Sequence, residues 1–220
     1  MNLVIIGHLP ADTEARIRAF FPPVWRVVFA GPDLAGPGLR DAEALIPEHL
    51  PINAALLDRA PKLRMIQTGA GYDNVDLAEC TRRGILVCSA AGVNAAAVAE
   101  HTMALILGWF KNIVYLDSFL KAHRDSRELR YSGGELCGKT AGIIGLGAIG
   151  QRVSSLCRAF GMNVLGYARH PKSVQGVETV SLDELLARSD VVSIHVPATP
   201  ETRHMICLLY TSDAADEARS

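Results

Sequence analysis

The chain has 220 residues, of which 49% are hydrophobic and 20% charged, and its formal net charge is −1. This composition is that of a globular protein with a sizeable apolar core, one or two domains in size. The lack of a basic block argues against a dedicated nucleic-acid surface. Five cysteines at irregular spacing, with no C-x-x-C pair, indicate reduced cytoplasmic thiols and neither a disulfide framework nor a metal site.

Short apolar strands and helices alternate through the first part of the chain. Strands are predicted at residues 2–6, 25–29, 42–46, 63–67 and 85–89, and helices at 12–21, 52–60 and 76–83. Asp12 or Thr13 is expected to cap the first helix. The opening strand carries no basic segment, so no signal peptide is expected. This alternation predicts a parallel sheet, and we assign residues 1–94 to a first α/β domain.

A long helical segment is predicted next, over residues 95–122, with a break near Lys111 and Asn112. Its most apolar window, residues 95–110, is short and contains Glu100 and His101. We therefore expect a buried or interface helix and no membrane span. The segment has more large apolar residues than one amphipathic stripe needs, namely Met103, Leu105, Ile106, Trp109 and Phe110. This excess favours a homodimer interface, and burial inside the monomer is the alternative.

The most informative stretch joins an apolar strand, residues 140–144, to a glycine turn and a helical segment. Gly145, Gly147 and Gly150 have G-x-G-x-x-G spacing, which indicates dinucleotide binding only in this strand-to-helix context. The first glycine permits the turn, the second lets a pyrophosphate approach, and the third lets helix and strand pack closely. The helix N-terminus offers N–H groups and partial positive charge to phosphates. Strands at 161–167 and 190–196, and a helix capped by Ser181, complete the predicted unit.

Five ordered motifs give the chain a resemblance to the D-isomer-specific 2-hydroxyacid dehydrogenase family, nearest to its phosphoglycerate dehydrogenase-like branch. They are GAGYDNVDL from residue 69, RRGILVC from 82, N-x-x-x-V-A-E-H from 94, GKTAGIIGLGAIGQRV from 138 and SDVVSIHVPATPETRHMI from 189. The resemblance implies an α/β protein with a flavodoxin-like substrate domain and a Rossmann cofactor domain, a doubly wound parallel sheet, over residues 95–206. The active site would lie in the cleft between them.

The resemblance also assigns roles to residues. The backbone of Gly69, Ala70 and Gly71 would meet the substrate carboxylate, as a glycine turn offers an anion nest. Together with the three glycines of the nucleotide motif, cofactor binding would use Ala148 and Ile149 at the pyrophosphate, Ala168 and Arg169 at the ribose, and Val196 and Pro197 on the adenosine side.

The ribose position departs from the NAD-preferring pattern. An acidic residue there would accept hydrogen bonds from the ribose hydroxyls, but Ala168 occupies it and Arg169 follows. With no carboxylate to repel a 2′-phosphate and a guanidinium to pair with it, NADP is favoured over NAD. The alternative is that Arg169, His170 and Lys172 are solvated surface charges and that NAD is bound.

Other reactive side chains are given structural roles. His195 lies at a strand end and is expected to be structural or to line the cofactor site. His101 and Glu100 are adjacent on a helix and so do not share a face, which favours packing over an acid–base pair. Cys137 and Cys157 are expected to be small core residues.

The resemblance ends at residue 206, before the arginine, glutamate and histidine that the family uses for catalysis. Residues 207–220 resemble a reading frame of a sequencing adaptor, so a truncated gene with a non-native tail is expected; a natural acidic tail is the alternative. The intact parent would act on a 2-keto or 2-hydroxy acid as a cytoplasmic enzyme, and the 220-residue chain would be inactive. A dinucleotide-sensing scaffold without catalysis is the other function considered. Residues 140–144 would become an unpaired edge strand, and poor folding would follow.

Overall fold

The computed structural model describes residues 1–7, 9–31, 38–122, 129, 133–170, 172–199 and 201–206. The expected tail at 207–220 lies outside these residues. The chain divides into two compact units, the first covering Met1–Val93 and the second beginning at Asn94. Each unit contains one parallel sheet and helices, so the predicted α/β class is confirmed.

The described residues of the first unit form five strands in the order β2-β1-β3-β4-β5, all parallel. The strands are β1 (Asn2–Ile6), β2 (Arg26–Ala30), β3 (Ala44–Ile46), β4 (Met65–Thr68) and β5 (Leu86–Ser89), and the helices are α1 (Ala11–Ala19), α2 (Ala54–Asp58) and α3 (Leu77–Arg82). Val4 pairs with both Val28 and Leu45, which places β1 inside the sheet. This strand order is that of flavodoxin.

The helix starts of this unit follow local capping rules in two cases out of three. Asn53 and Asp76 each accept a hydrogen bond from a backbone N–H three residues later, at 3.1 and 2.9 Å. The cap predicted for α1 is wrong, because the N-cap is Pro10, which offers no side-chain acceptor. Asp12 instead lies in the first turn, where its charge complements the helix dipole.

In the second unit, the part of the chain that the structure describes has four strands in the order β8-β7-β6-β9, also all parallel. The strands are β6 (Thr140–Ile144), β7 (Asn163–Tyr167), β8 (Glu178–Thr179) and β9 (Val191–Ile194), and the helices are α4 (Ala95–Phe110), α5 (Ile113–Ala122), α6 (Ala148–Ala159) and α7 (Leu182–Arg188). The Ser181 hydroxyl accepts a hydrogen bond from the Glu184 N–H at 3.2 Å and confirms the predicted cap.

Strand β6 is central, and the prediction of an exposed edge at residues 140–144 is wrong. Ile143 lies in register with Gly166 of β7 on one side and with Ser193 of β9 on the other. In the Rossmann order 3-2-1-4, β8 is therefore the third strand, β7 the second, β6 the first and β9 the fourth. The sequence did not predict β8, which is only two residues long.

The predicted break between α4 and α5 is confirmed at Asn112, which has a positive φ of 49°. Within the described residues, no single helix is long and apolar enough to cross a membrane; α4 and α5 meet the length and composition test only as a pair, bent by 55°. Met103 and Ile106 of α4 are buried, with the Met103 sulfur 3.7 Å from that of Cys157 on α6. Leu105 and Trp109 remain 63% and 80% exposed.

Candidate functional site

The turn from β6 to α6 requires glycine at two of its three motif positions. Gly145 has a φ of +96°, and a Cβ there would lie 2.6 Å from the His195 carbonyl oxygen. A Cβ on Gly150 would overlap the Gly145 carbonyl oxygen, so α6 approaches the end of β6 as closely as its backbone allows. These contacts hold the start of α6 directly over the carboxyl end of the central strand.

Gly147 behaves differently, because a Cβ there would meet no protein atom within 4 Å. It is the N-cap of α6, its φ of −75° is open to any residue, and no side chain caps the helix. The first N–H groups of a helix have no acceptor within the helix, and they carry the positive end of its dipole. Ala148 and Ile149 supply the first of these groups. An open, uncapped helix start of this kind fits a pyrophosphate.

A cavity of about 380 Å³ opens beside this turn, at the carboxyl ends of β6, β7 and β9. Six of the predicted cofactor residues line it: Gly145, Gly147, Ala168, Arg169, Val196 and Pro197. Gly150 is buried in the first turn of α6. Further lining residues that the sequence did not single out are Leu146, Tyr167, Thr199, Glu201, Thr202 and Met205. Four of these six come from the loop after β9.

The cavity carries charges of both signs. Arg169, His170 and Lys172 line it from the segment after β7, and Glu201 lines it from the loop after β9. A hydrogen bond from Thr199 lowers the pKa of the Glu201 carboxyl, and the positive charge of Arg169 lowers it further. Glu201 therefore places a carboxylate in the same cavity as Arg169, although the two residues are 32 positions apart in the chain, and the sequence did not predict this.

The predicted substrate residues lie in the first unit, directly after β4. Gly69 accepts a hydrogen bond from the Ala90 N–H at 2.9 Å, which joins the ends of β4 and β5. Thr68 is buried and donates its hydroxyl to the Cys88 carbonyl at 3.2 Å. Gly69 and Gly71 remain exposed beyond this anchor. Their backbone is thus held at the carboxyl edge of the sheet, where ligands bind in open α/β sheets.

The histidines and cysteines divide between core and surface. Ser193 and His195 share a hydrogen bond of 2.9 Å, and burial lowers the pKa of His195. Cys157 is fully buried as predicted, and burial raises the pKa of its thiol to about 11. Cys137 is exposed, so its predicted core position is wrong. His101 is also exposed, so its predicted packing is not found within the chain.

These features define the class of protein. A parallel sheet with an uncapped, glycine-started helix over its central strand, and a cavity at the crevice beside it, is a dinucleotide-binding Rossmann unit. The other unit is a flavodoxin-like sheet. The chain is thus a two-unit α/β protein with a dinucleotide type of site in its second unit.

Comparisons with known proteins agree with this class. Residues 103–210 match the D-isomer specific 2-hydroxyacid dehydrogenase family, NAD binding domain. A D-3-phosphoglycerate dehydrogenase of Mycobacterium leprae is 42% identical over 160 residues, covering 70% of this chain and 30% of the relative. A glyoxylate reductase of Aeropyrum pernix is 41% identical over 166 residues, covering 70% of this chain and 50% of that protein.

A solved structure supports the likeness over both units. The D-lactate dehydrogenase of Aquifex aeolicus, complexed with NAD and lactic acid, has a TM-score of 0.84 and 33% identity, covering 93% of this chain and 63% of that one. The chain belongs to the D-isomer specific 2-hydroxyacid dehydrogenase family, in its phosphoglycerate dehydrogenase-like branch, and contains the NAD binding domain of that family. It spans about a third of the length of the Mycobacterium leprae relative.

Proposed function

We propose that the whole protein is an NAD(P)-dependent oxidoreductase that acts on the CH–OH group of a D-2-hydroxy acid, or reduces the matching 2-keto acid. The observation that carries the proposal is the turn between β6 and α6. It leaves Gly147 open and the helix start uncapped, while Gly145 and Gly150 are fixed by close contacts. The bound nicotinamide would supply or accept the hydride.

The chain's own residues would position the reactants. The first N–H groups of α6, at Ala148 and Ile149, would bind the pyrophosphate, and Val196 and Pro197 would border the adenosine. The Gly69–Gly71 backbone would receive the carboxylate of the acid. Such positioning contributes to rate by holding reacting groups in a productive geometry. We further propose a cytoplasmic location, which suits the free thiols of Cys80, Cys88, Cys137 and Cys157.

For the cofactor we propose a preference for NADPH over NADH. Arg169 lines the cavity next to Ala168, at the strand end where an NAD-preferring site has an acidic residue. Replacing Arg169 by alanine should lower the NADPH-to-NADH affinity ratio roughly 10- to 100-fold, because a charge-assisted hydrogen bond is lost. The measurement is fluorescence titration of both reduced cofactors. Arg152→Ala, an exposed arginine on α6 outside the cavity, is the matched control.

We also propose that catalysis needs groups beyond the described residues. The resemblance places a proton-donating histidine, its glutamate and a substrate-binding arginine after the last strand described here. The 220-residue chain should therefore bind a reduced cofactor without oxidising it when glyoxylate, pyruvate or hydroxypyruvate is added. Absorbance at 340 nm follows the reaction. Turnover by this chain contradicts the assignment of those groups, and a full-length protein that binds NADPH but reduces none of many keto acids contradicts the enzyme proposal.

A further inference from the structure

Arg169 and Glu201 approach the same cavity from two sides of the central strand. Arg169 follows β7 and Glu201 follows β9, and these strands flank β6. The crevice between the first and fourth strands is where the strand order reverses, and dinucleotides lie across it. A carboxylate and a guanidinium thus share the space into which the ribose end of a cofactor would extend.

The loop that carries Glu201 is held by its own hydrogen bonds. The Thr199 N–H donates to the Thr202 hydroxyl at 2.8 Å, and the Thr202 N–H donates back to the Thr199 hydroxyl at 3.3 Å. The Thr202 hydroxyl also donates to the Pro197 carbonyl at 2.6 Å. These bonds hold Thr199 and Thr202 on either side of Glu201 and do not use the Glu201 side chain, whose carboxylate accepts a further hydrogen bond from Thr199.

Glu201 and Arg169 would interact differently with the ribose of NAD, which has a 2′-hydroxyl, and with that of NADP, which has a 2′-phosphate. A ribose 2′-hydroxyl donates to a carboxylate, whereas a 2′-phosphate is a dianion that a carboxylate repels and an arginine binds. An acidic residue for the hydroxyl is missing at Ala168, the usual strand end. We propose that Glu201 supplies this carboxylate from the opposite wall and is a specificity-determining residue. It favours NAD and limits the preference for NADP that Arg169 creates.

This inference rests on the proposed cofactor site and is tested by ligands that differ only at the ribose. Adenosine 5′-monophosphate carries the 2′-hydroxyl, and adenosine 2′,5′-bisphosphate carries the 2′-phosphate. Calorimetric titration of the 220-residue chain gives Kd for both. Glu201→Gln should strengthen binding of the bisphosphate and weaken binding of the monophosphate. The ratio of the two Kd values should shift only roughly 3- to 10-fold, because exposed charges are partly screened.

Two further variants separate a charge effect from a structural one. Glu201→Asp keeps the carboxylate and should keep the Kd ratio near that of the wild type. Glu135→Gln removes an exposed carboxylate of the same unit outside the cavity and should leave both Kd values unchanged. If the substitution disordered the loop, the affinities for both ligands would fall together. The proposal instead requires the two affinities to change in opposite directions.

The outcomes also separate this inference from the proposed function. Opposite shifts in Glu201→Gln, with Glu201→Asp like the wild type, support it. If the wild type binds both nucleotides, and Glu201→Gln leaves both affinities unchanged or lowers both, this inference alone is overturned. A wild-type chain that binds neither nucleotide at millimolar concentration overturns the proposed cofactor site and this inference with it.

Discussion

Gly150 lies so close to Gly145 that a methyl group on Gly150 would overlap the Gly145 carbonyl oxygen. This contact presses the first turn of α6 onto the end of β6. A Cβ at Gly150 would also lie 3.2 Å from a methyl group of Ile143, one of the fully buried residues of the sheet. The distance between α6 and β6 at the nucleotide turn is therefore set by the absence of a side chain at Gly150.

Gly150→Ala should destabilise the second unit. Overpacking by one methyl group typically costs about 1–3 kcal/mol, which exceeds the gain of about 1 kcal/mol that alanine brings inside a helix. Urea unfolding followed by circular dichroism measures the change. Gly108→Ala, a helical glycine of α4 where a Cβ meets no atom within 4 Å, is the control and should be neutral or stabilising. Equal stability of both variants would contradict the close packing.

Stability should also fall in mild acid because of His195. Burial lowers its pKa from the ordinary value of 6.5, so the unfolded state binds the proton more readily than the folded state. Its contribution is complete above about pH 6.5 and is lost as the pH falls from there toward the folded pKa. Urea unfolding at pH 7.5 and 5.5 should show this loss, with a smaller pH difference in His195→Gln. His101→Gln, at an exposed position, should retain the wild-type pH difference.

The exposed apolar side chains of α4 and α5 predict a homodimer when the protein is full length. Leu105 and Trp109 are one helical turn apart, so they share a face, and Val114 of α5 is 78% exposed. Trp109→Glu should convert a micromolar dimer into monomer in sedimentation velocity, because a charge would be buried unpaired. Phe20→Glu, at a position 84% exposed on the first unit, should leave the dimer intact. A monomeric wild type would reject the interface.

Local signals predicted most of the secondary structure. Apolar runs located the strands, Ser181 marked a helix start, and the break at Asn112 followed from the sequence. The glycine spacing located the nucleotide turn because its strand-to-helix context was complete. These features depend on residues that are close in the chain, and single-sequence patterns report such short-range constraints.

The sequence-based predictions were wrong where contacts between residues far apart in the chain determine the structure. The central position of β6 depends on β9, which lies about fifty residues later, and on β8, which is too short for a periodic signal. Glu201 joins the cavity of Arg169 only through the sheet order, so no local motif linked them. Cys137 and Cys157 both follow a leucine but differ in burial, because Cys137 lies in the turn before β6, whereas Cys157 lies on α6 and contacts Met103 of α4.

In the function proposed above, the start of α6 binds the pyrophosphate of a nicotinamide dinucleotide, and Gly147→Ala adds a methyl group at this contact. A Cβ at Gly147 meets open space and its φ of −75° suits alanine, so the free energy of unfolding should change by less than about 1 kcal/mol. The same methyl group would stand where the pyrophosphate approaches the backbone, so the Kd for NADPH should rise at least roughly 10-fold. Unchanged affinity for NADPH in a variant as stable as the wild type would mean that the pyrophosphate does not bind at the start of α6.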